Sequence, residues 1–182
     1  MKYSAAPESM ALIGFMGAGK TTVGRLLAAR LGWQFQDLDD VIVNREGRSI
    51  SDIFRDHGER YFRDLENRVL RELATDHKSR LVLALGGGAF VDAANRRVLQ
   101  EAGFCTVFLD APVDELFLRC AQPGVIRPLR QDIQKFSDLY KQRRPEYRKC
   151  SLHVDTTGKQ VAGVAEEIVR ALNLLATPGA SE

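Results

Sequence analysis

The sequence predicts an α/β fold in which a parallel sheet of five strands is covered by helices on both faces. Two observations predict it: short apolar runs alternate with segments of helical periodicity, and 182 residues with 45% hydrophobic content suffice for one large core. Alternating strands and helices are typical of parallel sheets, which are buried on both faces. We therefore predict a single domain over residues 1–182.

Apolar runs predict the strands, and the residues at the ends of periodic segments predict the helices. The predicted strands cover 10–13, 33–38, 81–85, 104–109 and 152–154. The first predicted helix follows the loop after the first strand and ends at residue 31. The other predicted helices cover 39–46, 51–58, 59–76, 92–102, 112–120, 132–149 and 161–175. Ser51 and Asp92 are the predicted N-caps, Pro112 opens a helix, and Pro145 is expected to break one.

The nine residues GFMGAGKTT, at 14–22, fit the pattern G-x-x-x-x-G-K-[ST]. An apolar strand precedes them and a helix follows, so the segment 10–32 predicts a phosphate cradle made of backbone N–H groups and a helix N-terminus. In such a cradle Lys20 reaches the β- and γ-phosphates, and the Thr21 hydroxyl binds Mg²⁺. The pattern therefore indicates a nucleoside triphosphate site.

The rest of the chain limits the kinds of reaction for which a nucleoside triphosphate site could be used. The N-K-x-D sequence with which GTPases read guanine is absent, and the third predicted strand ends at Leu85 without an acidic residue. It leads instead into Gly86, Gly87 and Gly88, which allow another molecule to approach the backbone closely. A plain flexible turn is the alternative interpretation of these three glycines.

Two aspartates and three arginines are the candidates for chemistry. Asp37 and Asp39 are two residues apart, so on a strand both carboxylates point to one side. One would hold magnesium through water and the other would accept the proton of an acceptor hydroxyl, although strand-end acids or a helix N-cap are the alternative. Arg63, Arg127 and Arg143 would clamp an anionic acceptor and the transferred phosphate, although singly each is more often a surface charge.

Composition excludes several classes of protein. A net charge of +2 is too small to indicate a nucleic acid partner, and no apolar run approaches the ~18 residues of a membrane span. Three widely spaced cysteines indicate reduced thiols. The sequence has no Cys/His cluster of the kind that binds zinc. The first nine residues lack the apolar core of a signal peptide. We therefore expect a cytoplasmic protein, and a monomer.

Taken together, these motifs resemble those of the shikimate kinase family over residues 10–172. The resemblance is carried by GFMGAGKTTVGRLLA, Asp37-Leu38-Asp39, GRSISDIF at 47–54, the segment 62–66, LGGGA at 85–89, Arg127-Pro128-Leu129 and the segment 143–148. It implies a three-layer P-loop kinase fold and ATP-dependent phosphorylation of the 3-hydroxyl of shikimate, in the route to chorismate and the aromatic amino acids. Magnesium is the implied cofactor, and ATP and shikimate are the implied partners.

The resemblance also implies roles on the acceptor side, in a substrate-binding segment at about 37–66. Asp39 binds the shikimate hydroxyls and acts as base or orienter. Arg63 and Arg143 clamp the carboxylate, and Glu66 holds the substrate arginine in place. The three glycines line the pocket, with Gly87 donating directly to the substrate.

On the nucleotide side, the resemblance implies contacts from six loop residues, which are Gly17, Ala18, Gly19, Lys20, Thr21 and Thr22. Arg127 reaches the ATP phosphates from a lid at about 121–132, and Lys159 or Gln160 flanks adenine. Thr21 binds magnesium, with Asp37 nearby through water. Lys20, Asp39 and Arg127 are then the catalytic residues. The alternatives are another small-metabolite kinase, such as a gluconate kinase, and a non-catalytic nucleotide-binding module.

Overall fold

The computed structural model describes residues 6–76, 80–120 and 132–174. Their five strands form one parallel sheet in the order β2-β3-β1-β4-β5. The strands are β1 Ser9–Ile13, β2 Gln34–Asp37, β3 Leu81–Ala84, β4 Cys105–Asp110 and β5 Leu152–Asp155. Every residue of β1, β3 and β4 is buried, so both faces of the central sheet are covered. The predicted fold class is confirmed.

Seven α-helices and one 3₁₀ turn connect and flank these strands in the described part of the chain. They are α1 Lys20–Leu31, α2 Leu38–Glu46, α3 Ile50–Asp76, the 3₁₀ turn Ala89–Val91, α4 Ala93–Glu101, α5 Val113–Cys120, α6 Ile133–Tyr147 and α7 Val161–Ala171. Gly32 and Gly47 end α1 and α2 with φ near +65°, a conformation that favours glycine. None of the described helices combines the length and apolarity needed to cross a membrane.

The predicted second strand was too long at its C-terminal end. The strand β2 stops at Asp37, and Leu38 already begins α2, so Asp39 lies in the first turn of a helix. The prediction that Asp37 and Asp39 share one face of a strand is therefore wrong. Asp37 is the N-cap of α2, and its Oδ1 accepts a hydrogen bond from the Asp39 backbone N–H at 3.1 Å.

Two predictions about helix ends also need correction. Ser49, not Ser51, caps α3: its Oγ accepts from the Asp52 N–H at 3.1 Å and its hydroxyl donates to the Asp52 carboxylate at 2.6 Å. Pro145 does not break α6, because the Arg148 N–H still donates to the Arg144 carbonyl beyond it at 3.1 Å. Proline lacks an N–H, so α6 loses one backbone hydrogen bond at Pro145, and a helix tolerates that loss near its end. Gly58, with φ 78°, does kink α3 where a boundary was predicted.

Close packing between α1 and the sheet makes Gly24 a test of the core. A Cβ at Gly24 would lie 2.5 Å from Cε2 of Phe35 and 3.1 Å from Cδ1 of Leu12. We predict that Gly24→Ala lowers the free energy of unfolding by about 1–3 kcal/mol, measured by urea titration, because the core must shift.

The control is Gly163→Ala in α7, where an added Cβ would have no neighbour within 4 Å. It should stabilise the protein by about 0.5–1 kcal/mol, the usual gain of alanine over glycine in a helix. If both variants were stabilised alike, the tight contact at Gly24 would be refuted.

Candidate active site

The strands β1, β2 and β3 end at the same edge of the sheet, where ligands bind in folds of this kind. Between β1 and α1 the chain turns through Gly14, Gly17 and Gly19, whose φ angles of 145°, 82° and 85° suit glycine. The Lys20 ammonium donates to the carbonyls of Gly14 at 2.9 Å and Phe15 at 3.0 Å. The predicted phosphate-binding lysine therefore lies at the glycine loop.

A second contact joins this loop to α2. The Thr21 hydroxyl donates to Oδ2 of Asp37 at 2.7 Å, while Oδ1 of Asp37 caps the helix that carries Asp39. Hydroxyl and carboxylate oxygens suit Mg²⁺, which usually takes one or two protein ligands and completes its shell with phosphate and water. The pair fits the predicted magnesium site. No cluster of three or more metal-binding His, Cys, Asp or Glu side chains occurs among the described residues.

The three glycines after β3 lie against charged side chains of the protein itself. A Cβ at Gly86 would lie 2.6 Å from Oδ1 of Asp39, and one at Gly88 would lie 2.6 Å from both Nη1 and Nη2 of Arg63. Real Cβ atoms do not come so close to other atoms. A side chain at either position would therefore displace the Asp39 carboxylate or the Arg63 guanidinium from its place at this turn. The interpretation as a plain flexible turn does not explain these contacts.

The middle glycine, Gly87, lies between Arg143 and the phosphate loop. The Cβ position of Gly87 is 3.7 Å from Nη1 of Arg143, and 3.9 Å from both the Gly14 carbonyl oxygen and the Met16 backbone nitrogen. The helix α6, which carries Arg143, is anchored at its next residue. Nη2 of Arg144 donates to Oδ2 of Asp110, at the end of β4, at 2.7 Å. The turn thus brings Arg143 beside the glycine loop.

A buried carboxylate supports Arg63. Glu66 is 1% exposed, and its Oε2 accepts from Nη1 of Arg63 at 2.9 Å. Burial raises the pKa of Glu66 to about 7, while the Arg63 guanidinium acts in the opposite direction and the Asp39 carboxylate raises the pKa further. Glu66 therefore changes charge near neutral pH, directly beside the arginine that it holds.

This raised pKa predicts a pH-dependent stability. The native carboxyl binds its proton more tightly than the unfolded chain, so its contribution is complete below pH 4.5 and is lost as the pH rises through about 7. In Glu66→Gln, the loss of unfolding free energy between pH 5 and pH 8 should shrink by roughly 2–3 kcal/mol, measured by urea titrations across this range.

Glu59→Gln serves as the control, since Glu59 is the exposed carboxylate 3.3 Å from the same guanidinium. Its pH profile should follow that of the wild type, because exposed ion pairs contribute little. Parallel profiles for Glu66→Gln and the wild type would show that Glu66 does not titrate as described.

A cleft of about 150 Å³ beside the glycine loop forms the candidate nucleotide side. Its lining comes from the loop, from α1, α5 and α7, and from the β5–α7 connection; the residues are Gly17, Ala18, Gly19, Thr22, Val23, Arg119, Thr156, Lys159, Val161 and Val164. The predicted Lys159 lies in this lining and pairs with Glu167 at 2.6 Å. Gln160 is exposed at the N-cap of α7 and is not part of the lining.

Arg119 received no role from the sequence, yet it lines this cleft. Its Nη2 donates to the Thr156 carbonyl at 2.9 Å and pairs with Glu115 at 2.5 Å. The four-residue spacing from Glu115 to Arg119 on a predicted helix was the signal that could have indicated an anchored arginine. Arg127 and the predicted lid at about 121–132 lie outside the described residues, apart from Asp132.

The parallel sheet with its glycine loop, and the charged residues gathered around the second glycine turn, are typical of a P-loop kinase. A family profile described as Shikimate kinase matches residues 16–173 of the chain. The chain belongs to the shikimate kinase family, a family of phosphotransferases.

Individual relatives agree with this assignment. The chain is 38% identical over 158 residues to a shikimate kinase of Persephonella marina, which covers 87% of this chain and 94% of the relative. The solved structure of a shikimate kinase from Acinetobacter baumannii, in complex with shikimate, superposes with a TM-score of 0.82 at 36% identity, covering 95% of this chain and 97% of that one. A gluconokinase from Sinorhizobium meliloti, at a TM-score of 0.59 and 21% identity over 94% of this chain and 95% of that one, shares the fold alone.

Proposed function

We propose that the protein transfers the γ-phosphoryl group of ATP to the 3-hydroxyl of shikimate, giving shikimate 3-phosphate and ADP in the route to chorismate. One observation carries the proposal: Asp39, Arg63 and Arg143 converge on a glycine turn next to the phosphate loop. Shikimate combines a carboxylate with neighbouring hydroxyls, so it needs cationic groups at one end and a carboxylate at the other. The shikimate complex of the Acinetobacter baumannii relative supports this substrate.

On the acceptor side, Arg63 and Arg143 bind the substrate carboxylate. Glu66 holds Arg63 in position through the hydrogen bond of 2.9 Å between its Oε2 and Nη1 of Arg63. The Gly87 N–H donates to the substrate, with Gly86 and Gly88 lining the pocket. The substrate hydroxyl oxygen bonds to the γ-phosphorus as the bond to the ADP oxygen breaks, and Asp39 accepts or orients the hydroxyl proton. The segment of about 37–66 thereby serves as the substrate-binding part of a single domain over 1–182.

On the nucleotide side, the loop backbone at Gly17, Ala18 and Gly19 cradles the phosphates, with Thr22 beside them. Lys20 moves from the loop carbonyls to the β- and γ-phosphates. Lys159 contacts the nucleoside end of the cleft, and Arg127, in the proposed lid, reaches the phosphates. Thr21 and Asp37 hold Mg²⁺, which neutralises phosphate charge when bound.

We also propose a cytoplasmic monomer that has no nucleic acid or membrane partner. Its three cysteines are thiols and not disulfides, which fits a reducing compartment. The net charge of +2 gives no electrostatic basis for nucleic acid binding. The sedimentation behaviour of the purified protein tests the monomer.

The test is a coupled assay of ADP release with ATP, Mg²⁺ and either shikimate or gluconate. The proposal predicts saturable turnover with shikimate and only background release with gluconate. A gluconate kinase would show the reverse preference, and a non-catalytic nucleotide-binding module would bind ATP without turnover with either acceptor. Either of those results would overturn the proposed function.

A further inference from the structure

Tyr147 is a fully buried tyrosine whose hydroxyl reaches the substrate side of the molecule. It lies at the last position of α6 with 0% exposure, and its ring packs on Phe108 with centroids 5.3 Å apart. Its hydroxyl donates a hydrogen bond to the backbone carbonyl of Gly87. The contact joins α6 to the middle of the glycine turn, 60 residues away in the sequence.

The same hydroxyl lies beside Arg143, one helical turn earlier on α6. Burial raises the pKa of Tyr147 to about 12, although the charge of the Arg143 guanidinium and a hydrogen bond from it act in the opposite direction. Tyr147 is therefore a neutral phenol throughout the range in which the protein works. Its hydroxyl donates to the Gly87 carbonyl and lies close enough to the Arg143 guanidinium for the two groups to interact.

The two arginines of the site are thus supported in different ways. Arg63 is held by the carboxylate of Glu66, which offsets its charge when ionised. Arg143 lies beside the neutral hydroxyl of Tyr147, and the Glu66 carboxylate interacts with its charge less than with that of Arg63. More of the positive charge of Arg143 therefore remains available to an anionic ligand.

We infer that Tyr147 is a positioning residue: through the Gly87 carbonyl and the neighbouring Arg143 guanidinium, it holds the glycine turn and α6 in one arrangement that binds the carboxylate of the acceptor. This inference rests on the proposed function, since it specifies how the acceptor site recognises negative charge. The hydroxyl thereby holds the backbone of the glycine turn, which carries the Gly87 N–H, next to the guanidinium on α6. A carboxylate that binds between them meets donors that are already in place.

Neighbouring contacts hold the segment after the glycines and act at other points. Nδ2 of Asn95 donates to the Ala89 carbonyl at 2.9 Å, and Nη1 of Arg96 donates to the Phe90 carbonyl at 2.9 Å and the Val91 carbonyl at 2.7 Å. These bonds would keep the 3₁₀ turn in place without Tyr147. Removal of the Tyr147 hydroxyl should therefore disturb the glycine turn locally and leave the fold intact.

Tyr147→Phe tests the inference, since it removes the hydroxyl and keeps the ring on Phe108. The KM for shikimate should rise about tenfold, the usual effect of a lost hydrogen bond to a charged group, while the KM for ATP stays within about twofold. The methyl ester of shikimate, measured as a competitive inhibitor, provides a second readout. Its Ki should change by less than about twofold, because the ester lacks the charge that the positioned groups bind.

Tyr140→Phe is the matched control on the same helix. Its hydroxyl donates to Asp110 at 2.9 Å and to the Ala111 carbonyl at 3.0 Å, away from the glycine turn. This variant should melt at a lower temperature and keep the shikimate KM within about twofold of wild type. A Tyr147→Phe protein that melts lower but has a wild-type shikimate KM would overturn the inference, as would an equal rise in the shikimate KM and the ester Ki.

A double-mutant cycle provides a further test that does not depend on small differences in folding. If Tyr147 acts through Arg143, adding Tyr147→Phe to Arg143→Ala should raise the shikimate KM much less than it does in the wild-type background. Fully additive effects would overturn the inference while leaving the proposed function intact. Absence of shikimate-dependent turnover in the wild type would overturn the proposed function, and this inference with it.

Discussion

Replacement of Asp39 by asparagine should lower kcat with shikimate by about 10²–10⁴-fold, the usual contribution of a general base. Oδ1 of Asp39 lies 2.6 Å from the Cβ position of Gly86, at the glycine turn that Arg63 and Arg143 also approach. Asparagine keeps the size of the side chain and removes the group that accepts or orients the hydroxyl proton. Steady-state kinetics combined with ATP titration measure the effect, and ATP binding should stay within about twofold of wild type.

The control for this variant is the same substitution one residue later, Asp40→Asn. Asp40 is exposed and faces Arg25 at 3.9 Å across the surface, so its loss should change kcat by less than about twofold. Full activity in Asp39→Asn would refute the role of Asp39 in the transfer. Equal losses in both variants would indicate a general effect on α2.

Removal of the Arg143 side chain should act mainly on acceptor binding. Arg143→Ala should raise the KM for shikimate by about 30–100-fold, which corresponds to about 2–3 kcal/mol for a lost charged contact. Its Nη1 lies 3.7 Å from the Cβ position of Gly87, close to where the acceptor must meet the phosphate loop. The KM for ATP should change far less, because neither Arg143 nor the glycine turn lines the candidate nucleotide cleft.

Arg148→Ala controls for the loss of one positive charge from the end of the same helix. Arg148 is exposed at the C-terminal end of α6, so its removal should leave the shikimate KM within about twofold of wild type. An unchanged shikimate KM in Arg143→Ala would contradict the carboxylate clamp.

Much of the fold was predictable because its signals are local. The pattern around Lys20 lies in one continuous stretch, and strand and helix periodicity can be read within windows of a few residues. Boundaries were harder to predict: Leu38 was predicted to end the second strand, but it begins α2 because the Asp37 carboxylate caps that helix.

The acceptor site could not be assembled from the sequence in the same way. Contacts between distant segments bring together Asp39, Arg63 and Arg143. The spacing of these residues in the sequence does not indicate that they lie close together. Residue type made them candidates, but only the resemblance to a known family implied that they act at one site. The hydrogen bond from Tyr147 to a backbone carbonyl 60 residues away is another such contact, since any residue offers a carbonyl.

A crystal structure of the protein with shikimate, ADP and Mg²⁺ would test the arrangement of the acceptor site directly. We predict that the shikimate carboxylate lies between the guanidinium groups of Arg63 and Arg143, and that its 3-hydroxyl is within hydrogen-bonding distance of Asp39. Shikimate bound away from the turn at Gly86, Gly87 and Gly88, or bound there with its carboxylate directed away from both arginines, would contradict the proposed site.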